Sequence, residues 1–110
     1  MDIKNIFKSE EGTFVDCGGG LRRKVTAYND NLMVVEVHFE TGTHAAVHSH
    51  PHEQITYVIS GEFEFIIDGK KQILKAGDAA YKQGHLPHGA TCLEKGMLID
   101  VFTPHREDFL

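Results

Sequence analysis

Three imidazoles and one side-chain amide stand in this sequence at spacings that suit a divalent metal. A first pattern runs Gly42-x5-His48-x-His50-x3-Gln54-x6-Gly61, and a second opens at Gly77 and reaches His88. His48 and His50 are two apart, which on a strand puts both on one face. Gln54 opens the next β-rich run, and its amide oxygen can meet the two imidazoles if that face points inward. His88 follows the stiff turn Leu86-Pro87 on a later strand. Three nitrogens and one oxygen, with positions left open, suit one Zn, Ni, Mn, Fe or Co ion rather than Ca. A lone His-x-His would read as a surface pair. Here it is framed by Gly42, Gly61 and His88, in a chain with 8 histidines in 110 residues. His44 and His52 read as rim residues and His85 as an exposed loop residue. His38 faces either the interior or the solvent.

The elements that must position these groups are strands. Residues 32–39, 54–59, 62–67 and 71–75 are β-branched, aromatic or alternating, and residues 88–92 and 97–102 read as two more strands. Turn signals separate them: Ser60-Gly61, Asp68-Gly69, Ala76-Gly77-Asp78 and Glu94-Lys95-Gly96. Short strands with turns at this spacing indicate an all-β sandwich or barrel. No amphipathic helix of normal length is evident. Residues 1–20 read as an N-terminal arm, 21–102 as the barrel and 103–110 as a C-terminal tail, all within one domain. Gly18-Gly19-Gly20 is a turn before the first strand, since no helix start or Lys-Ser/Thr follows it.

Composition narrows the partners. A net charge of −5, with only Arg22-Arg23-Lys24 as a basic cluster, argues against nucleic acid. No apolar run approaches the ~20 residues needed to span a bilayer, and the polar N-terminus lacks a secretory pattern. A cytoplasmic location is expected, without a membrane partner. Cys17 and Cys92 match no metal spacing. A chain this small buries a limited fraction of its surface, so a homodimer is expected.

The two patterns resemble the paired motifs of the cupin family, a single-domain double-stranded β-helix or jelly-roll barrel, over about residues 20–103. The first motif fits from Gly42 to Gly61, with Gln54 where Glu is usual. In the second, Gly77 and His88 fit, while Gln83, His85 and Cys92 stand where Pro, Gly and Asn are usual. A closer likeness is to the KdgF-type pectin-degradation cupins. It is carried by Arg23-Lys24-Val25, by Tyr28 to Met33, by His48 to Val58 and by Asp100 to Leu110. That resemblance implies a metal held by His48, His50, Gln54 and His88. It also implies ring opening of 4,5-unsaturated monouronates from pectin or alginate to linear 4-deoxy-5-keto uronates.

The remaining candidates follow. A neutral Gln leaves the metal its full charge, which favours an anionic substrate. Asp100 alternates with Leu98 and Phe102 on an apolar strand; it is either a partly desolvated catalytic base or a strand-end carboxylate facing water. Arg106, past Pro104, offers a planar fork for a uronate carboxylate, or is a solvated tail arginine. Phe102 is a pocket wall or core. Tyr57 and Arg23 are weaker substrate-binding candidates. The rival readings are a non-catalytic sugar-binding cupin and a cupin dioxygenase or isomerase acting on another substrate, because one barrel hosts many functions.

Overall fold

The computed structural model describes residues 3–110. It is all-β, as expected, and its two helical pieces are three-residue 3-10 turns at Ser9–Glu11 and Glu107–Phe109. The strands are β1 (Val15–Gly18), β2 (Leu21–Tyr28), β3 (Met33–Phe39), β4 (His44–His48), β5 (Glu53–Ile67), β6 (Lys70–Lys75), β7 (Ala79–Lys82) and β8 (His88–Thr103). All pairings are antiparallel, in the order β1-β2-β3-β8-β5-β6, with β4 on β8 and β7 on β5.

Two expectations are corrected here. Residues 54–59 and 62–67 are one strand, β5, and residues 88–92 and 97–102 are one strand, β8. The glycine signals between them mark bends within paired strands rather than chain reversals. β5 and β8 run side by side, and their register slips between Val58 and Phe63. At that level Gly61 adopts φ +83°, and a methyl group on it would meet the Glu94 carbonyl at 2.5 Å; one on Gly96 would collide with the Ser60 carbonyl. The bend lets each long strand change neighbours along its length. The first half of β5 pairs with β7 and the second with β6. The first half of β8 pairs with β4 and the second with β3.

The bend also shifts the side-chain alternation of β5. Gln54, Thr56 and Val58 are inward before it, Phe63 and Phe65 after it. These meet Met33, Val35, Val37 and Phe39, the buried face of β3, and Leu98, Phe102 and Cys92 of β8. Each fully buried large apolar side chain contributes about 1.5–3 kcal/mol. The Phe39 and Phe63 rings pack edge to face across the core, 5.1 Å apart.

Within the N-terminal arm, Val15–Gly18 forms an edge strand on β2. The tail folds back on its own barrel. Phe109 packs against the core, with its ring 5.8 Å from Phe102. Asp68-Gly69 is the expected tight hairpin between β5 and β6, both residues having positive φ. Cys17 and Cys92 are free thiols, and His38 lies on the outer face of β3 against Glu36 and Phe14. Among the described residues, no helix is long and apolar enough to cross a membrane.

Candidate active site

His48 ends β4 and His88 begins β8, and the two are cross-strand partners. His50 lies beyond β4, so a shared strand face does not explain its convergence. A loop-to-loop lock does: the His85 amide donates to the His50 carbonyl at 2.6 Å, and Gly84 lies so close to Pro51 that no Cβ would fit. The His85 loop takes its left-handed turn, φ +66°, with a histidine where the family pattern has glycine.

One ring nitrogen from each of His48, His50 and His88 lies within 4.8 Å of the others. Backbone carbonyls fix which nitrogen is free. Nδ1 of His48, His50 and His88 meets the carbonyls of Ala46, His52 and Leu86 at 2.8, 3.1 and 2.8 Å. A carbonyl can only accept, so in the tautomer with the hydrogen on Nδ1 each ring donates to its carbonyl and each Nε2 keeps its lone pair. Gln54 Oε1 sits 2.9 Å from His50 Nε2: in the Nδ1–H tautomer two acceptors face each other, and in the other Nε2 donates to the amide oxygen. The amide orientation is set on its other side, where Gln54 Nε2 donates to Thr56 Oγ1 at 3.1 Å. His88 Nε2 is buried and has no hydrogen-bond partner.

Converging lone pairs without a proton between them are what a cation would satisfy, so these residues fit a divalent metal. Burial pushes the His88 imidazole down to about 4, and burial also lowers His50. Burial thus favours the neutral form of both rings, the form that a metal would need.

A cavity of about 160 Å³ opens beside the histidines. Asp100, Phe102, Arg106, Arg23, Lys82 and Phe109 all line it. Asp100 is half-buried, and its Oδ1 accepts a 2.5 Å hydrogen bond from Thr56. Phe102 is both core and wall, its ring 5.7 Å from His50. The Arg106 guanidinium stacks on Phe109 at 4.3 Å and donates twice to Asp108, which holds that carboxyl below the usual range. The Arg23 guanidinium lies 4.0 Å from the same Phe109 ring, so both arginines and the ring line the cavity together.

Tyr57 is corrected. It alternates with inward Thr56 and Val58, so it lies on the outer surface, 44% exposed, away from the cavity. His44 and His85 are exposed. His52 is half-buried and supports the site through its carbonyl.

Three site residues were not anticipated. Thr56 shares the parity of Gln54, which was the available signal. Phe109 lay in a tail with no periodicity to place it. Lys82 is 4% exposed, yet a lysine defaults to the surface in any sequence reading. Its Nζ donates to Thr56 Oγ1 at 2.7 Å. Burial lowers its affinity for its proton, and Asp100 partly offsets this.

A family model for the cupin domain matches residues 35–102. The pectin degradation protein KdgF of Dickeya dadantii is 43% identical over 110 residues, 98% of this chain and 100% of that protein. The crystal structure of an RmlC-like cupin from Shewanella frigidimarina is 41% identical with a TM-score of 0.93, covering 98% of this chain and 97% of that one. KdgF from Halomonas sp. is 38% identical with a TM-score of 0.92, covering 98% of this chain and all of that one. The motif histidines, the barrel and full-length similarity to two KdgF proteins agree, and the chain belongs to the cupin family, among the relatives of KdgF.

Proposed function

We propose that this cupin opens the ring of 4,5-unsaturated monouronates released from pectin or alginate and yields linear 4-deoxy-5-keto uronates. The observation that carries the reading is a cationic cavity in an acidic chain. It combines a metal-ligand set, a carboxylate with one free oxygen, and two arginines. Its KdgF relative is described as a pectin degradation protein, which supports this substrate class.

In this reading His48, His50, Gln54 and His88 hold one divalent transition metal: Zn, Ni, Mn, Fe or Co. When bound, it supplies Lewis-acid polarisation of a substrate oxygen without redox change. Arg106, assisted by Arg23, takes the uronate carboxylate through N–H donors. Phe102 walls the sugar and excludes water. Asp100 removes the proton of the anomeric hydroxyl through its free Oδ2. The hemiacetal C–O bond breaks, giving an aldehyde and leaving the ring oxygen as an enolate. Return of the proton to the enol carbon gives the ketone, so atoms and electrons balance with no co-reactant.

The test is incubation of the metal-loaded protein with unsaturated galacturonate while the enol-ether absorbance is followed. Its steady loss supports the reading. Saturable binding without turnover would instead favour a sugar-binding module, and oxygen consumption a dioxygenase.

We propose also that the protein is a homodimer. Tyr81 and Ile55 are cross-strand neighbours on the outer face of β7 and β5, and Tyr57 and Ile59 continue that face along β5. All four are large, apolar and exposed. A second copy, presenting the same patch, would cover them by an isologous contact.

A further inference from the structure

We propose that Thr56 is a positioning residue that joins the metal-ligating side of the cavity to its acid–base side, and that Lys82 fixes the direction of its hydroxyl. The acid–base part rests on the functional reading above; the metal part stands without it. Thr56 is 1% exposed, and its Oγ1 has three polar neighbours. Gln54 Nε2 lies at 3.1 Å, Lys82 Nζ at 2.7 Å and Asp100 Oδ1 at 2.5 Å. They come from three adjacent strands, because Gln54 pairs with Lys82 across β5 and β7 and Thr56 pairs with Asp100 across β5 and β8.

A threonine hydroxyl has one hydrogen and two lone pairs. The ammonium and the amide nitrogen can only donate, so they occupy both lone pairs. The hydroxyl hydrogen then has one acceptor left, Asp100. Two consequences follow. The Gln54 amide cannot flip without losing its acceptor, so Oε1 stays aimed at the histidines. Asp100 is held by Oδ1, which leaves Oδ2 for the substrate. One hydroxyl thus orients a metal ligand and the base together.

The test uses Thr56→Val, Thr56→Ser and Lys82→Met in the full chain, with zinc as the probe. Zinc affinity is measured by chelator competition with no substrate present, and kcat and KM are measured on unsaturated galacturonate. His88→Ala is the control that loses zinc. Thr56→Val should weaken zinc binding roughly 10–100-fold, the usual effect of losing a group that orients a ligand. It should lower kcat more than it raises KM. Thr56→Ser should restore both. Lys82→Met should keep zinc affinity near wild type and lower kcat.

Wild-type zinc affinity in Thr56→Val, or failure of Thr56→Ser to differ from it, overturns the proposal. If Thr56→Val does not fold, Thr56→Ser and Lys82→Met decide. Unchanged kcat in Lys82→Met, or an effect confined to KM, overturns the role of the lysine. If wild type does not turn over the sugar, the functional reading fails while the zinc measurements still judge Thr56.

Discussion

At the residue scale, the site is a set of groups whose protons are assigned by their neighbours. Backbone carbonyls meet Nδ1 of three histidines, and Thr56 accepts an amide hydrogen of Gln54. What remains is a cluster of lone pairs beside a carboxylate. Asp100→Asn should therefore lower kcat about 10²–10⁴-fold on unsaturated uronates, as expected for removal of a positioned base, while zinc content stays at wild-type level. Kinetics alongside elemental analysis would check both. Arg106→Ala should chiefly raise KM, roughly 10–100-fold, since charged hydrogen bonds contribute about 1.5–3 kcal/mol. A loss confined to kcat would remove Arg106 from carboxylate binding. Spacing singled out His48, His50 and His88, which do converge, although His50 lies beyond the strand it was read onto; alternation turned Gln54 inward and set Asp100 on the cavity. Sequence could not declare Lys82, whose burial depends on cross-strand pairing with Gln54 rather than on anything local. Tyr57 failed as a pocket residue by the same alternation that correctly turned Gln54 inward.

At the scale of elements, β3, β5, β6 and β8 were legible from β-branched and alternating runs, and the Asp68-Gly69 hairpin from its turn chemistry. The misreadings share one cause. Ser60-Gly61 and Glu94-Lys95-Gly96 carry turn residues, yet the chain bends without reversing because β5 and β8 remain paired through the irregularity. Local sequence cannot distinguish a bulge from a reversal when the deciding partner is over thirty residues away. β1 and β7 were missed because they have four residues each and carry mostly aspartate, glycine, alanine and lysine rather than the usual strand formers. The bend gives its own test. Gly96→Ala would drive a methyl group into the Ser60 carbonyl, and Gly61 stands directly opposite. We expect a loss of about 2–4 kcal/mol by chemical denaturation, in the range of strained or overpacked sites. A change within about 0.5 kcal/mol, as at ordinary surface positions, would show that the two strands can separate there freely.

At the scale of the whole molecule, stability and assembly both follow from what the barrel buries and what it leaves open. In the metal-free protein, burial holds His88 down to about 4 from an ordinary 6.5, and lowers His50 as well. Between those values the unfolded chain binds protons that the fold refuses, so stability rises with pH across that window. The melting temperature of chelator-treated protein should accordingly fall as pH drops from 6.5 towards 4. In His88→Asn, part of that slope should vanish, and an unchanged slope would assign it elsewhere. Assembly should be dimeric by light scattering at micromolar concentration, and Tyr57→Glu should shift it to monomer with zinc content intact. A wild-type monomer would contradict the proposed face. The central claim is the ring opening itself. The most direct measurement combines absorbance with NMR of the product, using zinc-, nickel- or manganese-loaded protein and unsaturated galacturonate. The account predicts loss of the enol-ether band, appearance of a linear 5-keto uronate, and abolition of both by a chelator. An unchanged band with every metal, at substrate concentrations that saturate binding, would contradict it.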